Sequence, residues 1–355
     1  MAQINPRPLR RPPVAAADTT SPTAREHNNR GALLHLEGKL DEARGAYEAA
    51  LAADPNNATA TNNLGYLLAQ QGRLEEAIEY YQRALELDPH KSTTFANLGI
   101  AQAALGQTAT GIAALEKAVN LDHGNVLAWD NLGKVLLHSG RLAEAEHAWR
   151  SAIDLAPAES RFYTALGTAV AAQQRVNEAV SLLQHAVWLE PESATAWAQL
   201  GAVLFVKQDL GSAADALNQA LALAPDDHES RHHLALLQLA LGKVAEAERE
   251  LERIVLVPDE ANPVYSIAQI DLAVIALSRG ESQSALTRLD AVLLLDPGST
   301  RAIFYRALSL GQLERTADAH DLMQTLASDH AGKYAAQARD YLAVRKDRAN
   351  DSLNN

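Results

Sequence analysis

Short stretches with an apolar residue at every third or fourth position run along most of the chain, and Gly or Pro separates them. One stretch, TATNNLGYLLAQQ, ends at Gly72, and the next, LEEAIEYYQRALELD, ends at Asp88 and Pro89. Apolar residues at this spacing indicate an amphipathic α-helix, and Pro does not continue into a helix interior. The pattern therefore predicts an all-α protein built from pairs of short helices joined by turns.

The helix pair recurs every 34 residues. Gly occupies one position of the first helix, at Gly31, Gly65, Gly99, Gly133, Gly167 and Gly201. Ala occupies two positions of most second helices, represented by Ala77 and Ala84. Because a Gly inside a helix costs about 0.5–1 kcal/mol relative to Ala, its recurrence predicts that the two helices of each pair approach closely at this point.

This 34-residue pattern resembles the tetratricopeptide repeat family. The clearest repeat spans 126–159 and matches the family's positions with Trp129, Leu132, Gly133, Ala145, Trp149, Ala152 and Pro157. The resemblance covers nearly all of the chain apart from its two ends. It implies an all-α, right-handed superhelical solenoid of helix-turn-helix repeats that ends in a capping helix.

The repeat spacing divides the chain into an array with a tail at each end. We expect a disordered Pro-rich arm at 1–23, a capping helix at 333–345 and a disordered tail at 346–355. Between them, the array of about nine units occupies 24–333. The units are 24–57, 58–91, 92–125, 126–159, 160–193, 194–227, 228–261, 266–299 and 300–333.

Two places depart from the repeat pattern. A four-residue insertion near 262–265 separates the seventh and eighth units and predicts a hinge or kink. In the third unit, Gly111 and His123 replace the usual Ala and Pro. Because Gly weakens a helix, we expect the second helix of this unit to be less stable than its neighbours.

The composition excludes several classes of protein. A formal net charge of −13 argues against a nucleic-acid partner, which requires a basic surface. No apolar run reaches the roughly 18 residues of a membrane span, so we expect no membrane insertion. Pro12 and Pro13 interrupt the N-terminal segment, which lacks the apolar core of a signal peptide. We therefore expect a cytoplasmic protein.

Motifs of enzyme chemistry are missing from the sequence. It contains no Cys, no phosphate-binding Gly loop and no nucleophile elbow. His228 and His232 are spaced to share one helical face, but no third ligand for a metal follows at a suitable spacing. The four Trp residues are interpreted as packing anchors. We predict a protein without enzyme activity, metal or cofactor.

An Asn occurs two residues before the recurring Gly in the first four units, at Asn29, Asn63, Asn97 and Asn131. Asn is a mediocre helix former, and its amide offers a donor and an acceptor that match a peptide backbone. This series is similar to the asparagine ladder in the repeat domain of O-linked N-acetylglucosamine transferases. The similarity does not extend to a catalytic domain. It implies that the four Asn hold an extended peptide. The alternative is that they bond to the backbone of the next unit or to water.

Other residues on the predicted inner surface complete the candidate site. They are Asn62, Tyr66, Lys134 and Gln199. Asp130 and Lys134 are spaced to pair with each other. The inner positions lack the Lys and Arg of a carboxylate clamp, as found in chaperone adaptors.

Three functions remain open. We expect a non-enzymatic scaffold that binds an extended, largely neutral segment of another protein in a concave groove. One alternative is a self-assembling array in which the groove takes a terminal element of another copy, such as the Pro-rich arm. The other is a regulatory or targeting subunit of a separate enzyme.

Overall fold

The fold is known from a computed structural model that describes residues 21–256, 262–329 and 332–353. Within these residues every regular element is an α-helix. None of these helices is both long enough and apolar enough to cross a membrane. The prediction of an all-α array of helical repeats is confirmed.

The chain divides into two compact units. Unit 1 is Met1–Pro191 and unit 2 is Glu192–Asn355. The helices of unit 1 are α1 (Pro22–Leu36), α2 (Leu40–Ala53), α3 (Ala58–Gln70), α4 (Leu74–Leu87), α5 (Ser92–Ala104), α6 (Thr108–Leu121), α7 (Val126–His138), α8 (Leu142–Leu155), α9 (Ser160–Ala172) and α10 (Val176–Leu189).

The helices of unit 2 continue the same alternation and add one helix at the end. They are α11 (Ala194–Val206), α12 (Leu210–Leu223), α13 (His228–Ala240), α14 (Val244–Val255), α15 (Pro263–Ser278), α16 (Ser282–Leu295), α17 (Thr300–Gln312), α18 (Thr316–Asp329) and α19 (Lys333–Leu353).

Each first helix packs against three neighbours, which produces two layers in unit 1. For example, α3 contacts its partner α4, the preceding second helix α2, and the first helices α1 and α5. Among the described residues of this unit, the second helices make no comparable contact with one another. The first helices are therefore drawn together into an inner layer, while the second helices spread apart on the outside.

The recurring Gly marks the closest approach within each pair. A Cβ atom at Gly133 would lie 2.7 Å from Cε2 of Trp149, and one at Gly31 would lie 2.6 Å from Cδ1 of Tyr47. At Gly201 the nearest atom would be Cγ of Leu217, 2.6 Å away. In each case a large side chain of the second helix lies against the Gly backbone. The predicted close approach is thus present, and the Gly accommodates a bulky partner residue.

The third repeat differs from its prediction in physical detail. A Cβ atom at Gly111 would lie 2.7 Å from the carbonyl oxygen of Gly99 and 3.0 Å from the amide nitrogen of Ala103. The backbones of α5 and α6 therefore touch directly. Gly111 is a packing residue, and this packing opposes the loss of helix stability expected from the sequence.

The turns within the pairs use residues with positive φ. Gly fills this position in most repeats, as at Gly72 with φ 77°. Three repeats place a residue with a side chain there instead: Gln174 (φ 66°), Gln208 (φ 67°) and Glu314 (φ 62°). The left-handed conformation costs an L-residue about 1–2 kcal/mol relative to its usual conformation, so these three turns carry local strain.

The ends of the helices differ from the predicted segment boundaries at three places. Helix α1 begins at Pro22, inside the predicted arm, while residues 1–20 lie outside the described residues. Helix α15 begins at Pro263, where the insertion was expected, and residues 257–261 also lie outside the description. Helix α19 continues from Lys333 to Leu353 and so extends past the predicted end of the capping helix.

Candidate functional site

The inner face of unit 1 is defined by the position two residues before each recurring Gly. Successive residues of an α-helix are rotated by about 100°, so this position lies almost opposite the Gly. Because Gly133 faces Trp149 of α8, Asn131 points away from the second helix. The same geometry applies to Asn29, Asn63 and Asn97, and it places them on the inner side of the layer of first helices.

Four buried Asn side chains form a continuous chain of amide hydrogen bonds across α1, α3 and α5. Nδ2 of Asn97 donates to Oδ1 of Asn62 over 3.0 Å, and Nδ2 of Asn62 donates to Oδ1 of Asn63 over 3.3 Å. Nδ2 of Asn63 then donates to Oδ1 of Asn28 over 3.0 Å. We call Asn28, Asn62, Asn63 and Asn97 the amide chain. Each interhelical bond joins one repeat to the next.

The two ends of the amide chain are unpaired. Nδ2 of Asn28 and Oδ1 of Asn97 are buried and have no hydrogen-bond partner. The cavity beside Asn62 measures about 10 Å³, which is room for about one water molecule. The amide chain therefore joins repeats and offers no space for a ligand in its middle.

This geometry separates the four predicted ladder residues into two pairs. Asn63 is 1% exposed and Asn97 is 6% exposed, and each uses its amide donor within the chain. The paired donor and acceptor contacts with a peptide backbone that the sequence suggested are not open to them. Asn29 and Asn131 are half-buried. Oδ1 of Asn29 has no partner, and Asn131 forms no side-chain hydrogen bond with any described residue.

A single substitution in the repeat explains why Asn131 is free. Asn63 and Asn97 each donate to an Asn that lies three residues before the Gly of the preceding repeat. For Asn131 the equivalent position is Ala96, which has no acceptor. The amide chain ends there, and the side chain of Asn131 keeps both its donor and its acceptor.

A cluster around Asp130 lies next to Asn131. Asp130 is 3% exposed and accepts hydrogen bonds from Nζ of Lys134 at 2.8 Å and Nε1 of Trp149 at 3.2 Å. Nη1 of Arg161, on the next first helix, donates to the same carboxylate at 3.1 Å. The predicted pairing of Asp130 with Lys134 is present. The sequence analysis missed Arg161, since its sequence separation of 31 residues matches no helical spacing. The cluster holds Lys134 in place and neutralises its charge.

A second polar cluster lies on α1 and α3. Nε2 of His35 lies 2.5 Å from Oε1 of Gln70, and Nε2 of Gln70 donates to the hydroxyl of Tyr66 at 3.1 Å. The rings of His35 and Tyr66 are 5.4 Å apart. Burial raises the pKa of the nearby Tyr47 above its ordinary value, so its hydroxyl is neutral at neutral pH. Sequence reasoning singled out Tyr66 and missed His35 and Gln70, whose pairing depends on contact between repeats.

Two predicted residues of interest belong to unit 2. Gln199 lies half-buried on α11 and is described apart from the residues of unit 1. Nε2 of His232 lies 2.7 Å from Oδ2 of Asp271, which also accepts a hydrogen bond from Arg301. Within the described part of the chain, no group of three or more His, Cys, Asp or Glu is arranged to hold a metal ion.

The interpretation of every Trp as a packing anchor is wrong for Trp188. Its side chain is 71% exposed, whereas Trp149 is 1% exposed. Trp188 stacks on His185 with ring centroids 5.3 Å apart, and His185 meets Tyr163 edge to face at 4.5 Å. Its late position in α10 places it on the outside, where the 34-residue pattern has no aromatic.

Comparison with protein families gives two matches. The model described as cilia and flagella-associated protein 70 C-terminal domain matches residues 9–234. The model described as tetratricopeptide repeat matches residues 204–270. No curated protein matches the chain in sequence.

Several solved structures resemble the chain. The crystal structure of the APC/C hetero-tetramer Cut9–Hcn1 gives a TM-score of 0.58 at 18% identity, over 81% of this chain and 55% of that chain. The chain thus spans about half of that relative's length. MamA 41-end from Desulfovibrio magneticus RS-1 gives 0.45 at 25% identity, over 48% of this chain and 96% of that one. YrrB, a TPR protein with an unusual peptide-binding site, gives 0.41 at 18% identity, over 49% and 90%.

Proposed function

The chain belongs to the tetratricopeptide repeat family represented by the C-terminal domain of cilia and flagella-associated protein 70, and we propose that it is a non-enzymatic scaffold that binds a segment of another protein. Proteins of this fold are generally non-catalytic, and the fold is consistent with a protein–protein interaction scaffold. The proposed surface is the inner face of unit 1. The proposed ligand is an extended segment that carries little charge.

The free amide of Asn131 is the observation that carries this proposal. It lies on the inner face, half-buried, with both its donor and its acceptor unused by described residues. A backbone peptide group presents one N–H and one C=O, so a single Asn amide can bind both. Asn29 offers a second such contact at the other end of the amide chain, where its Oδ1 lacks a partner.

The residues next to these two amides favour a ligand with little charge. Tyr66 and Ile100 are half-buried at the position after the recurring Gly. The charge of Lys134 is balanced by its 2.8 Å contact with Asp130, whose carboxylate also accepts from Arg161. A segment that crosses this face would therefore meet amides and apolar side chains, with no unbalanced charge between them.

Mutation of the two free amides tests the proposal. A pull-down with the wild-type chain identifies a partner, and titration then compares the wild type with the double variant Asn29→Ala and Asn131→Ala. Each lost pair of contacts is expected to cost about 0.5–1.5 kcal/mol net. Two sites then correspond to roughly 5- to 150-fold weaker binding.

A matched control separates binding from general effects of the substitution. Asn120→Ala makes the same chemical change at an exposed position of the second helix α6, so it should leave affinity unchanged. Equal affinities for the wild type and for the folded double variant would move the binding surface away from the inner face of unit 1.

A further inference from the structure

The last two repeats of unit 2 and α19 surround an open pocket of about 440 Å³. Its floor is apolar and consists of Val274 and Leu277 from α15 and Leu308 from α17. Binding pockets usually measure about 300–1,000 Å³ and have mostly apolar walls. The pocket belongs entirely to unit 2 and is separate from the inner face of unit 1.

Aromatic rings form two walls of this pocket. Tyr305 projects from α17 and Tyr341 from α19. The ring of Tyr305 also contacts Phe304 at 5.5 Å and Tyr334 at 6.1 Å, so it is held in place by an aromatic cluster. Burial raises the pKa of Tyr305, and its hydroxyl stays neutral. Gly311 completes the wall and has no side chain to fill the space.

The rim of the pocket is polar and acidic. Ser278 and Gln312 line it, and both are exposed. Each lies two or three residues before an exposed Glu in the following turn, Glu281 after Ser278 and Glu314 after Gln312. Neither carboxylate forms an ion pair with another residue that the structure describes. A ligand with basic side chains beside an apolar anchor therefore complements this pocket.

One segment of the chain itself has this composition. Residues 6–13 read PRPLRRPP, with three Arg, four Pro and one Leu. Pro-rich segments bind aromatic-lined grooves because their extended conformation loses little entropy on binding. We propose that residues 6–13 of a second copy occupy this pocket, with Leu9 on the apolar floor and the Arg side chains towards Glu281 and Glu314.

Such pairing is head-to-tail because the segment and the pocket belong to different compact units. Each added copy then leaves one segment and one pocket unpaired. The full-length protein should therefore form complexes whose mean mass, measured by light scattering, rises with concentration. Full-length Leu9→Glu should remain monomeric, because a carboxylate cannot be placed on the apolar floor without loss of its hydration.

A direct binding assay uses full-length Leu9→Glu as the receptor and a labelled peptide of residues 1–20 as the ligand. In the same background, Ser278→Arg should weaken peptide binding roughly tenfold, since it adds bulk and positive charge at the rim. Ser284→Arg makes the same change at an exposed position of α16 outside the pocket, so it should have no effect. High salt should also weaken binding.

Three results would overturn this inference. The first is a wild-type protein that stays monomeric at every concentration, and the second is self-association that Leu9→Glu leaves unchanged. The third is peptide binding that ignores Ser278→Arg. If the peptide instead lost affinity with the Asn29→Ala and Asn131→Ala double variant, the segment would bind unit 1, which would contradict this inference and support the proposed function.

Discussion

The side-chain amide of Asn63 donates a hydrogen bond to Oδ1 of Asn28 across the interface between α3 and α1, over 3.0 Å. Asn28 is 0% exposed and Asn63 is 1% exposed, so water cannot replace either partner. A buried amide without a partner is costly, and this bond therefore couples the first two repeats in a fixed register. The Asn residues that look like a ligand-binding series in the sequence serve in part to join the repeats.

Substitution of Asn63 should consequently lower stability. Asn63→Ala leaves the acceptor of Asn28 buried and unpaired, at a cost of about 1–3 kcal/mol. The better helix propensity of Ala returns less than about 0.7 kcal/mol. Urea unfolding followed by circular dichroism measures the difference. Asn29→Ala is the control because its side chain has no hydrogen bond to lose, and equal midpoints for both variants would contradict a structural role for the amide chain.

Two Gly→Ala substitutions should have opposite effects. Gly111→Ala places a Cβ atom 2.7 Å from the carbonyl oxygen of Gly99, so it should destabilise by about 1–3 kcal/mol through overpacking. Gly45→Ala meets nothing within 4 Å and should stabilise α2 by about 0.5–1 kcal/mol. Thermal unfolding of both variants checks the signs. A gain in stability from Gly111→Ala would show that Gly111 only weakens its helix.

The strained turns predict a stabilising substitution. Gln174 has φ 66°, so Gln174→Gly should stabilise unit 1 by about 0.5–1 kcal/mol as it relieves the left-handed strain. Gln71 occupies the C-cap of α3 with φ −81°, an ordinary value, so Gln71→Gly should be neutral or destabilising. Comparison of the two unfolding midpoints is the measurement. A destabilising effect of Gln174→Gly would mean that the Gln174 side chain makes contacts worth more than the strain.

The two proposed binding surfaces should respond differently to salt. Contacts at Asn131 are uncharged, so binding of a partner segment to unit 1 should change little with ionic strength. The pocket in unit 2 relies on Glu281 and Glu314, and its affinity for the peptide of residues 1–20 should fall as salt rises. Titrations of both ligands at low and high salt provide the measurement. Strong salt dependence at unit 1 would contradict an amide-based surface there.

The exposed polar network next to Asn131 offers a test of the positioning of Lys134. Arg161→Met removes one of the three donors to the carboxylate of Asp130. Since Asp130 is 3% exposed, the loss should destabilise unit 1 by about 1–3 kcal/mol. Arg44→Met removes an exposed ion pair with Glu48 and should change stability by less than about 1 kcal/mol. Equal effects would mean that the Asp130 cluster contributes no more than a surface pair.

Local chemistry along the chain is enough to determine the helices of this protein. The 34-residue spacing of Gly65, Gly99 and Gly133 and the Ala positions of the second helices require close helix pairs wherever they occur. Helix periodicity and turn residues depend on neighbours within a few positions, so one sequence contains all of that information. The pairing of Asp130 with Lys134 follows from the same short-range geometry.

Contacts between repeats were decided only by the tertiary structure. Asn63 and Asn131 occupy the same position of the repeat, yet Asn63 is buried by its bond to Asn28 while Asn131 faces Ala96 and stays free. Arg161 reaches Asp130, and Leu308 and Tyr341 meet around one pocket, only because separate helices stack against each other. Such contacts depend on which side chains face each other across an interface. Their sequence separation therefore carries no signal that a single chain can reveal.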